Sequence, residues 1–569
     1  AISTSSEELA QHEAIVDAFA NGNGPALDAK LREIDAEQAA TGEYPFSYIE
    51  RVWDKGYMEA RCPNPIHINP SYILNLPKLN NADRFANLAK VTLSAVAWHH
   101  KVLTGRLDKT EVCFSPFGKQ LGTARIPVVG RDEWAYHPHA QHIVVFCGST
   151  VFRVDVLDDN GSTISAENLE KAFIDVVSKS RASQAGDAPP LSLLTAGERD
   201  EWAQTRAHVV SVGNNAESLN VIDSALLSIA IDGDAAPVLS DTSLSTSTLV
   251  GNTDGGAVAQ PRWFDKHQLL SLESGDLGFN FEHSYSDGMS WNRMISEVAA
   301  HVQDQSPPAG CEPLQWLPSH NGAATATEVL FESDETITAA TLSAQQKFRS
   351  AVNNLDNAVV DFTDFGKNEI KTWKQSPDAV VQLALMLSYS QLHPDSGPPG
   401  VYEACSVSRF YHGRTETIRS LTEPAAAFIR AALNNNDDNT LRDLMTAATA
   451  EHRNNSVAAA SAFGIDRHLL ALQLLAEAEG VTEPLFGEGL YSASQRWKLS
   501  TSNVTADFIK YFAFGPVDQD GYGIGYMIND DAIPMNISSF RDSSIGTDST
   551  TFGNTVRESL QLLKSIAKE

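Results

Sequence analysis

The chain has 569 residues, which is long enough for more than one domain. Its 72 acidic side chains against 42 lysines and arginines give a net charge of −30, which argues against nucleic acid and anionic membranes as partners. Any anionic ligand therefore needs a local basic patch. Five cysteines without C-x-x-C spacing predict neither disulfides nor a zinc site. No apolar run approaches the roughly 20 residues that span a bilayer, so we expect a soluble protein without a transmembrane segment.

The first half of the chain predicts helices followed by a hairpin. Residues 5–40 have the spacing of one or two alanine-rich helices, and residues 81–99 of another. Apolar runs at 142–146 and 151–156 flank Gly148-Ser149, which predicts a β-hairpin. Thr195-Ala196-Gly197-Glu198 has the pattern of a capping box that begins a helix.

The second half begins after polar connections at 306–310 and 321–327, which place a domain boundary near residue 330. Ser376-Pro377-Asp378 predicts the start of a helix, with a capping hydroxyl, Pro in the first turn and an acid at the positive end of the helix dipole. Strands and helices alternate throughout, which predicts a mixed α/β protein.

A candidate base stands at a strand end. The pair Glu282-His283 directly follows the alternating residues 278–281, and Asp287 lies four residues after His283. An imidazole titrates near neutral pH and can accept a proton from a hydroxyl or thiol group. A single histidine at such a position is more often a satisfied structural residue, so the assignment depends on what accompanies it.

Three further polar segments accompany this histidine, at 402–419, 466–468 and 500–502. With Glu282-His283 they resemble the carnitine and choline acyltransferase family. The resemblance covers almost the whole chain, since further matching segments follow in the family's order, at 124–127, 142–161, 262–266, 365–367, 376–378 and 514–523. The hairpin and residues 194–206 are most similar to the carnitine palmitoyltransferase 2-like branch.

The resemblance implies an α/β fold of two similar domains of the CoA-dependent acyltransferase type. Each domain would be a mixed sheet flanked by helices, with an active-site tunnel between them. Residues 41–333 would form the N-terminal domain, which carries the catalytic histidine. Residues 334–569 would form the C-terminal domain, with the helices of residues 1–40 packing on it.

The implied reaction is reversible transfer of an acyl group between coenzyme A and L-carnitine. It needs no metal and no permanently bound cofactor, because acyl-CoA and carnitine are substrates. His283 matches the general base and Ser502 the donor to the oxyanion of the intermediate. Asp287 and Arg414 match a pair that fixes the surroundings of the histidine, and an ion pair that stabilises the fold is a compatible alternative.

The resemblance also implies a carnitine site. Arg467 would complement the carboxylate of carnitine, and the choline branch departs from the family at Thr415 and Arg467, which favours carnitine as the acceptor. An aromatic ring attracts the trimethylammonium group. The implied carnitine-binding residues are Tyr57, Tyr402, Thr415, Arg467, Ser500 and Phe514.

Coenzyme A would bind at Lys367 and Lys371, which match the lysines aimed at its 3′-phosphate, and near Asp378 at its adenine end. Taken alone, these lysines would be a solvated face, and Asp378 already has a role at its helix start. Gly521, Gly523 and Gly525 lack the spacing of a dinucleotide loop and predict a close-packed strand instead.

The sequence departs from the family pattern at two places. Pro261 replaces the usual Asn, and residues 107–123 lack the insert that is thought to attach the palmitoyltransferase to membranes. Phe512 stands where long-chain members have Gly and the acetyltransferase has a blocking Met. This acyl gate predicts a short to medium acyl chain, whereas the overall resemblance favours a long one.

Two other hypotheses remain open. The chain could be a catalytically idle family member that serves as a structural subunit of a larger mitochondrial assembly, or it could transfer acyl groups to choline or another alcohol. Family analogy indicates the mitochondrial matrix as the compartment. The hypotheses are distinguished by whether thiol release from acyl-CoA depends on carnitine.

Overall fold

The computed structural model describes residues 5–108, 112–183, 190–233, 240–251, 262–322 and 324–568. Pro261 and part of the shortened segment 107–123 lie outside these residues. In the described residues, the α-helices are α1 (Ser6–Asn21), α2 (Gly24–Thr41), α3 (Tyr48–Met58), α4 (Asn64–His67), α5 (Arg84–Leu103), α6 (Ala166–Ala182), α7 (Arg199–Ser211), α8 (Asn215–Ser224), α9 (Asp241–Val250), α10 (Gly288–Val302), α11 (Glu335–Asn354), α12 (Lys367–Thr372), α13 (Pro377–Leu392), α14 (Glu423–Leu433), α15 (Asp438–Ala460), α16 (Asp466–Ala478), α17 (Leu490–Ser494) and α18 (Ser549–Lys568).

The strands in the same residues are β1 (Ser71–Leu74), β2 (Thr123–Ile126), β3 (Glu133–Tyr136), β4 (His142–Cys147), β5 (Thr150–Asp155), β6 (Thr163–Ile164), β7 (Ser228–Ile231), β8 (Gln268–Ser271), β9 (Leu277–Asn280), β10 (Ser319–His320), β11 (Ala326–Glu328), β12 (Leu355–Phe362), β13 (Gly400–Ser406), β14 (Thr415–Ile418), β15 (Trp497–Asn503), β16 (Ile509–Ala513), β17 (Tyr522–Tyr526) and β18 (Ile533–Phe540).

The chain divides into two compact units that interleave along the sequence. The N unit comprises Tyr57–Asn354 and Ala506–Phe514, and the C unit comprises Ala1–Gly56, Leu355–Thr505 and Gly515–Glu569. Each unit contains a mixed sheet flanked by helices, as the sequence predicts. The domain limits 41–333 and 334–569 stay a prediction, and α11 belongs to the N unit.

The N unit is built on an eight-stranded sheet with the order β11-β5-β4-β7-β8-β9-β1-β16. Its last strand, β16, comes from the distant segment Ala506–Phe514 and pairs antiparallel with β1. The predicted hairpin is confirmed, since β4 and β5 pair antiparallel from His142↔Asp155 to Cys147↔Thr150. β1 pairs antiparallel with β9, and the chain leads from the end of β9 to His283.

The C unit is built on a six-stranded sheet with the order β12-β18-β17-β15-β13-β14. Its core joins this sheet to α13, in which every residue from Ala379 to Tyr389 is buried. The predicted helices of residues 5–40 are confirmed as α1 and α2, and Phe19, Leu27 and Leu31 of this pair pack against Leu472 of α16.

The two predicted helix starts have different outcomes. α13 begins at Pro377 as expected, although the Ser376 side chain makes no capping hydrogen bond. The capping box at Thr195 is wrong. The Thr195 hydroxyl donates to the carbonyl of Ser192 instead, and α7 begins only at Arg199. Among the described residues, no helix combines the length and the apolar character that crossing a membrane requires.

Candidate active site

His283 lies in the turn between β9 and α10, at the end of the sheet. Its Nδ1 is 3.2 Å from the hydroxyl of Tyr57, and the two rings stack with centroids 5.3 Å apart. Oδ1 of Asp287 is 4.0 Å from the same nitrogen. The histidine side chain is 25% exposed, so a substrate can reach it.

A buried arginine, Arg125, bonds to Tyr57 and to the residue before His283. Nη2 of Arg125 donates to the main-chain carbonyl of Tyr57 at 2.7 Å, and Nη1 donates to the carboxylate of Glu282 at 3.3 Å. Its Nε donates to Asp132 at 2.7 Å. Because Arg125 is 1% exposed, these bonds are made in a low dielectric, where charge-assisted hydrogen bonds are strong. One side chain therefore joins the backbone of Tyr57 to the side chain of Glu282, the residue before His283.

A second histidine lies beneath the first and is neutral. The backbone N–H of Glu282 donates to Nδ1 of His267 at 3.1 Å, so that nitrogen carries no proton. Burial, with smaller contributions from the charges of Lys266 and His283, holds the pKa of His267 well below its usual value. The site therefore avoids a second positive charge behind His283.

The Ser-Thr-Ser sequence lies on β15 of the C unit, between β13 and β17. Side chains alternate along a strand. Thr501 is fully buried towards the helix layer and accepts a hydrogen bond from Gln382 at 2.9 Å, whereas Ser500 and Ser502 point to the opposite face. Ser500 is paired with Tyr402 and with Gly523, and Ser502 with Gly525.

The predicted close-packed strand is confirmed as β17. A Cβ on Gly523 would lie 2.8 Å from the carbonyl oxygen of Gly515, so a side chain there would collide with backbone. Because glycines lie opposite both serines on β17, no side chain adjoins Ser500 or Ser502 from that strand.

The structure brings together three of the predicted carnitine-binding residues. Nη2 of Arg467 lies 3.2 Å from the hydroxyl of Tyr402 and 3.4 Å from that of Thr415, while its Nε donates to the Thr415 carbonyl at 2.8 Å. The guanidinium also stacks 4.1 Å from the ring centre of Trp53, a cation–π contact worth about 0.5–2 kcal/mol. The cation is thus oriented with two hydroxyl groups beside it.

Arg414 and Asp378 each have partners within the C unit. Arg414 donates to Asp54 at 3.4 Å. Asp378 accepts a hydrogen bond from the hydroxyl of Tyr526 at 2.7 Å and another from the side-chain amide of Asn503 at 3.0 Å. Asn503 is the residue that follows Ser502. The acid at the helix start is therefore also anchored to β15 and β17.

Asp378, which is half-buried, forms a trio of titratable groups with the buried Glu403 and His452. Ligand atoms of Asp378, Glu403 and His452 lie within 4.8 Å of one another, and Nε2 of His452 is 2.8 Å from Glu403. Burial, reinforced by the negative charge of Asp378, raises the pKa of Glu403 to about 8. The carboxyl group of Glu403 therefore keeps its proton at neutral pH.

The predicted coenzyme A lysines lie on α12. Nζ of Lys367 is 2.8 Å from Asp530, whose pKa is lowered by that hydrogen bond and by the charges of Lys367 and Lys371. The Lys367 side chain is 37% exposed, so an incoming phosphate can reach it and would compete with Asp530.

The predicted acyl gate, Phe512, lies on β16 and is 7% exposed. Its ring contacts the rings of Tyr72, with centroids 5.1 Å apart, and of Phe514, with centroids 5.3 Å apart. Tyr72 of β1 is directly opposite Phe512 in the register of the two strands.

Comparison with known proteins matches residues 1–558 to the model of the family Choline/Carnitine o-acyltransferase. The chain belongs to this family. It is accordingly an acyltransferase. Carnitine O-palmitoyltransferase 2, mitochondrial, of Homo sapiens is 29% identical over 567 residues, covering 92% of this chain and 82% of the relative. The muscle isoform of carnitine O-palmitoyltransferase 1 of Homo sapiens is 30% identical over 549 residues, covering 90% and 68%.

Among solved structures, the wax ester synthase/diacylglycerol acyltransferase from Marinobacter aquaeolei VT8 is 13% identical, with 91% of this chain and 98% of that chain covered. The TM-score of the two structures is 0.34.

For this acyltransferase, sequence reasoning missed several residues that hold the site. Arg125 lies in the matching segment 124–127, but the sequence predicts no role for it, and it predicts none for Gln382 or Trp53. The spacing of Trp53 and Tyr57, one helical turn apart on α3, is a signal that could have linked them, since residues at i and i+4 share a helix face. The buried pair of Glu403 and His452 has no local sequence signal, because its members are 49 residues apart.

Proposed function

We propose that the protein is a carnitine O-acyltransferase that reversibly transfers a fatty acyl group between coenzyme A and L-carnitine. The observation that carries this proposal is the arrangement of Arg467 with the hydroxyls of Tyr402 and Thr415. A guanidinium flanked by two hydroxyl donors suits a carboxylate. Choline has no carboxylate and would leave the buried cation unused, so the arrangement favours carnitine as the acceptor.

In the proposed reaction, Nε2 of His283 accepts the proton of the carnitine hydroxyl while its oxygen attacks the carbonyl carbon of the thioester. Nδ1 then has to carry a hydrogen, and the oxygen of Tyr57 at 3.2 Å is suited to accept it. The carboxylate of Asp287 at 4.0 Å favours the imidazolium that forms. Together with Asp287, Arg414 would fix the surroundings of His283.

The attack gives a tetrahedral intermediate with a negative oxygen, to which the Ser502 hydroxyl would donate a hydrogen bond. Loss of one such donor costs about 3 kcal/mol in other enzymes. When the intermediate collapses, the carbon–sulfur bond breaks, and the departing thiolate takes the proton back from His283. Acyl-carnitine and free coenzyme A result, and the reverse reaction follows the same steps.

The two substrates would be held by the remaining predicted residues. Tyr57, Tyr402, Thr415 and Ser500 would contact carnitine beside Arg467, with Phe514 near its trimethylammonium group. Lys367 and Lys371 would bind the 3′-phosphate of coenzyme A, and Asp378 would lie near its adenine. No permanently bound cofactor or metal enters this scheme.

We further propose a short to medium acyl chain, because the buried ring of Phe512 fills the position of the gate. The names of the relatives favour palmitoyl as the alternative. By analogy with those names, the protein would act in mitochondria, in the matrix. Neither nucleic acid nor a membrane is expected as a partner.

The experiment is carnitine-dependent thiol release across an acyl-CoA series from acetyl to palmitoyl. We expect activity at short to medium chain lengths that His283→Ala abolishes. The control His208→Ala, which removes a partly exposed histidine paired with Asp334, should retain full activity. Choline in place of carnitine should support no release.

Each other outcome has a distinct meaning. A maximum at palmitoyl would retain the reaction and discard the gate. Release with choline alone would replace carnitine as the acceptor. Silence of the folded protein with every acyl-CoA would overturn the proposal and favour the idle subunit of a larger assembly.

A further inference from the structure

We propose that Tyr72 is a second specificity-determining residue, which limits acyl-chain length together with Phe512. This inference rests on the proposed function, since it concerns the acyl group of the same reaction. The resemblance points to Phe512 alone. The position of Tyr72 follows from the contacts of β1 in the structure.

The register of three neighbouring strands aligns aromatic side chains on one face of the sheet. β1 lies between β9 and β16, and Tyr72 is directly opposite both Phe279 and Phe512. Side chains directly opposite each other in antiparallel strands share a face and lie in contact. The rings of Tyr72 and Phe512 accordingly meet edge to face, at an interplanar angle of 72°.

The aromatic row continues towards the turn of His283. Phe281 is two residues after Phe279 and therefore points to the same face. Its ring lies 4.9 Å from that of Tyr72 and 5.4 Å from that of Phe279. Together with Phe512 and Phe514, these residues form one contiguous layer of five rings. In this layer, Tyr72 lies between the phenylalanines at 279 and 281 and those at 512 and 514.

Helix α10 covers this layer. Trp291 of α10 packs against Phe281 with ring centroids 4.3 Å apart. A Cβ on Gly288, the first residue of α10, would lie 3.2 Å from the hydroxyl oxygen of Tyr72. The side chain of Tyr72 therefore reaches from β1 to the first turn of α10 and is 1% exposed.

This position makes Tyr72 a barrier independent of Phe512. Removal of the Phe512 ring would open space on the β16 side of Tyr72, while the tyrosine would still close the gap between β1 and α10. Protein interiors are packed densely and side chains hold fixed rotamers, so Tyr72 cannot simply move aside between Phe281 and α10. An acyl chain that enters past residue 512 would stop at its ring.

The test compares kcat/KM across acyl-CoAs of increasing length in the full-length protein. The variants are Phe512→Gly, Tyr72→Val and the double variant, with Tyr72→Phe as the matched control that keeps the ring. We expect Phe512→Gly to lengthen the preferred chain modestly, and the double variant to lengthen it further, by more than the sum of the two single changes. Each additional methylene accommodated should raise kcat/KM roughly fourfold.

The control and a second substitution keep the test decisive. Tyr72→Phe should retain the wild-type chain-length profile. If Tyr72→Val lowers the melting temperature so far that it cannot be assayed, Tyr72→Leu in the Phe512→Gly background replaces it with the same expectation. A double variant whose profile equals that of Phe512→Gly overturns the role of Tyr72 and leaves the proposed function intact. A wild-type protein silent with all acyl-CoAs overturns both.

Discussion

The hydroxyl of Tyr57 lies 3.2 Å from Nδ1 of His283, while the two rings stack at an angle of 17°. This contact selects one tautomer if the tyrosine oxygen accepts the Nδ1 hydrogen, because Nε2 is then left with its lone pair for a substrate proton. Tyr57 would then serve the base directly. The sequence had predicted a different role for it, contact with the carboxylate of carnitine.

The substitution Tyr57→Phe separates these two roles. It keeps the stacked ring and removes the hydroxyl, so we expect kcat to fall about tenfold, the equivalent of one hydrogen bond of about 1.4 kcal/mol. Steady-state kinetics with varied carnitine measures this. Tyr285→Phe is the matched control, since that hydroxyl bonds to the Gln120 carbonyl in the same region. An increase in the KM for carnitine at unchanged kcat would instead favour the contact with the substrate.

Arg125 should be essential to the stability of the N unit. Its guanidinium bonds simultaneously to Asp132, Glu282 and the carbonyl of Tyr57, and a lysine cannot reproduce this fork of donors. We expect Arg125→Lys to lower the free energy of unfolding by about 3–5 kcal/mol, because it leaves buried carboxylates incompletely paired. Urea denaturation measures the change.

The control for Arg125 is a surface arginine of the same unit. Arg131 pairs with Glu59, and both side chains are more than two-fifths exposed. Such pairs contribute about 0–1 kcal/mol, so Arg131→Lys should leave the unfolding midpoint nearly unchanged. Equal effects of the two substitutions would contradict the structural role assigned to Arg125.

The general architecture could be predicted from the sequence because it follows from local patterns. Apolar periodicity located α1, α2 and α5, and turn residues located the β4–β5 hairpin. The failed capping box at Thr195 shows the limit of such patterns, because tertiary contacts decided the outcome. The Thr195 hydroxyl is used by Ser192 and by the N–H of Phe264, 69 residues away.

The parts of the site that escaped prediction depend on contacts between distant segments. The insertion of β16 into the sheet of the N unit brings Phe512 beside Tyr72, although 440 positions separate them in the chain numbering. Likewise, the stacking of Arg467 on Trp53 joins α16 to α3. No local spacing encodes either contact, so only the folded chain reveals them.

Arg467 should control the affinity for carnitine rather than the rate of the chemical step. Replacing it by Gln removes the charge while Tyr402 and Thr415 remain, so we expect the KM for carnitine to rise at least about tenfold, which corresponds to loss of a charged hydrogen bond. The kcat at saturating carnitine should change less. The exposed Arg430, paired at 3.8 Å with Glu423, offers the control Arg430→Gln, which should leave both constants unchanged. A fall in kcat alone would refute this assignment.

The pKa of Glu403 predicts how stability depends on pH. Burial and the neighbouring Asp378 raise it from 4.5 to about 8, so the folded protein keeps a proton that the unfolded chain releases above pH 4.5. The resulting stabilisation is complete below pH 4.5 and is lost as pH rises through 8, with a slope of up to about 1.4 kcal/mol per pH unit between these values.

The substitution Glu403→Gln tests this dependence, because it keeps the shape of the side chain and removes its titration. The difference in unfolding free energy between the wild type and this variant should therefore change steadily from pH 5 to 8 in urea denaturation. A pH-independent difference for Glu403→Gln would contradict the raised pKa of Glu403.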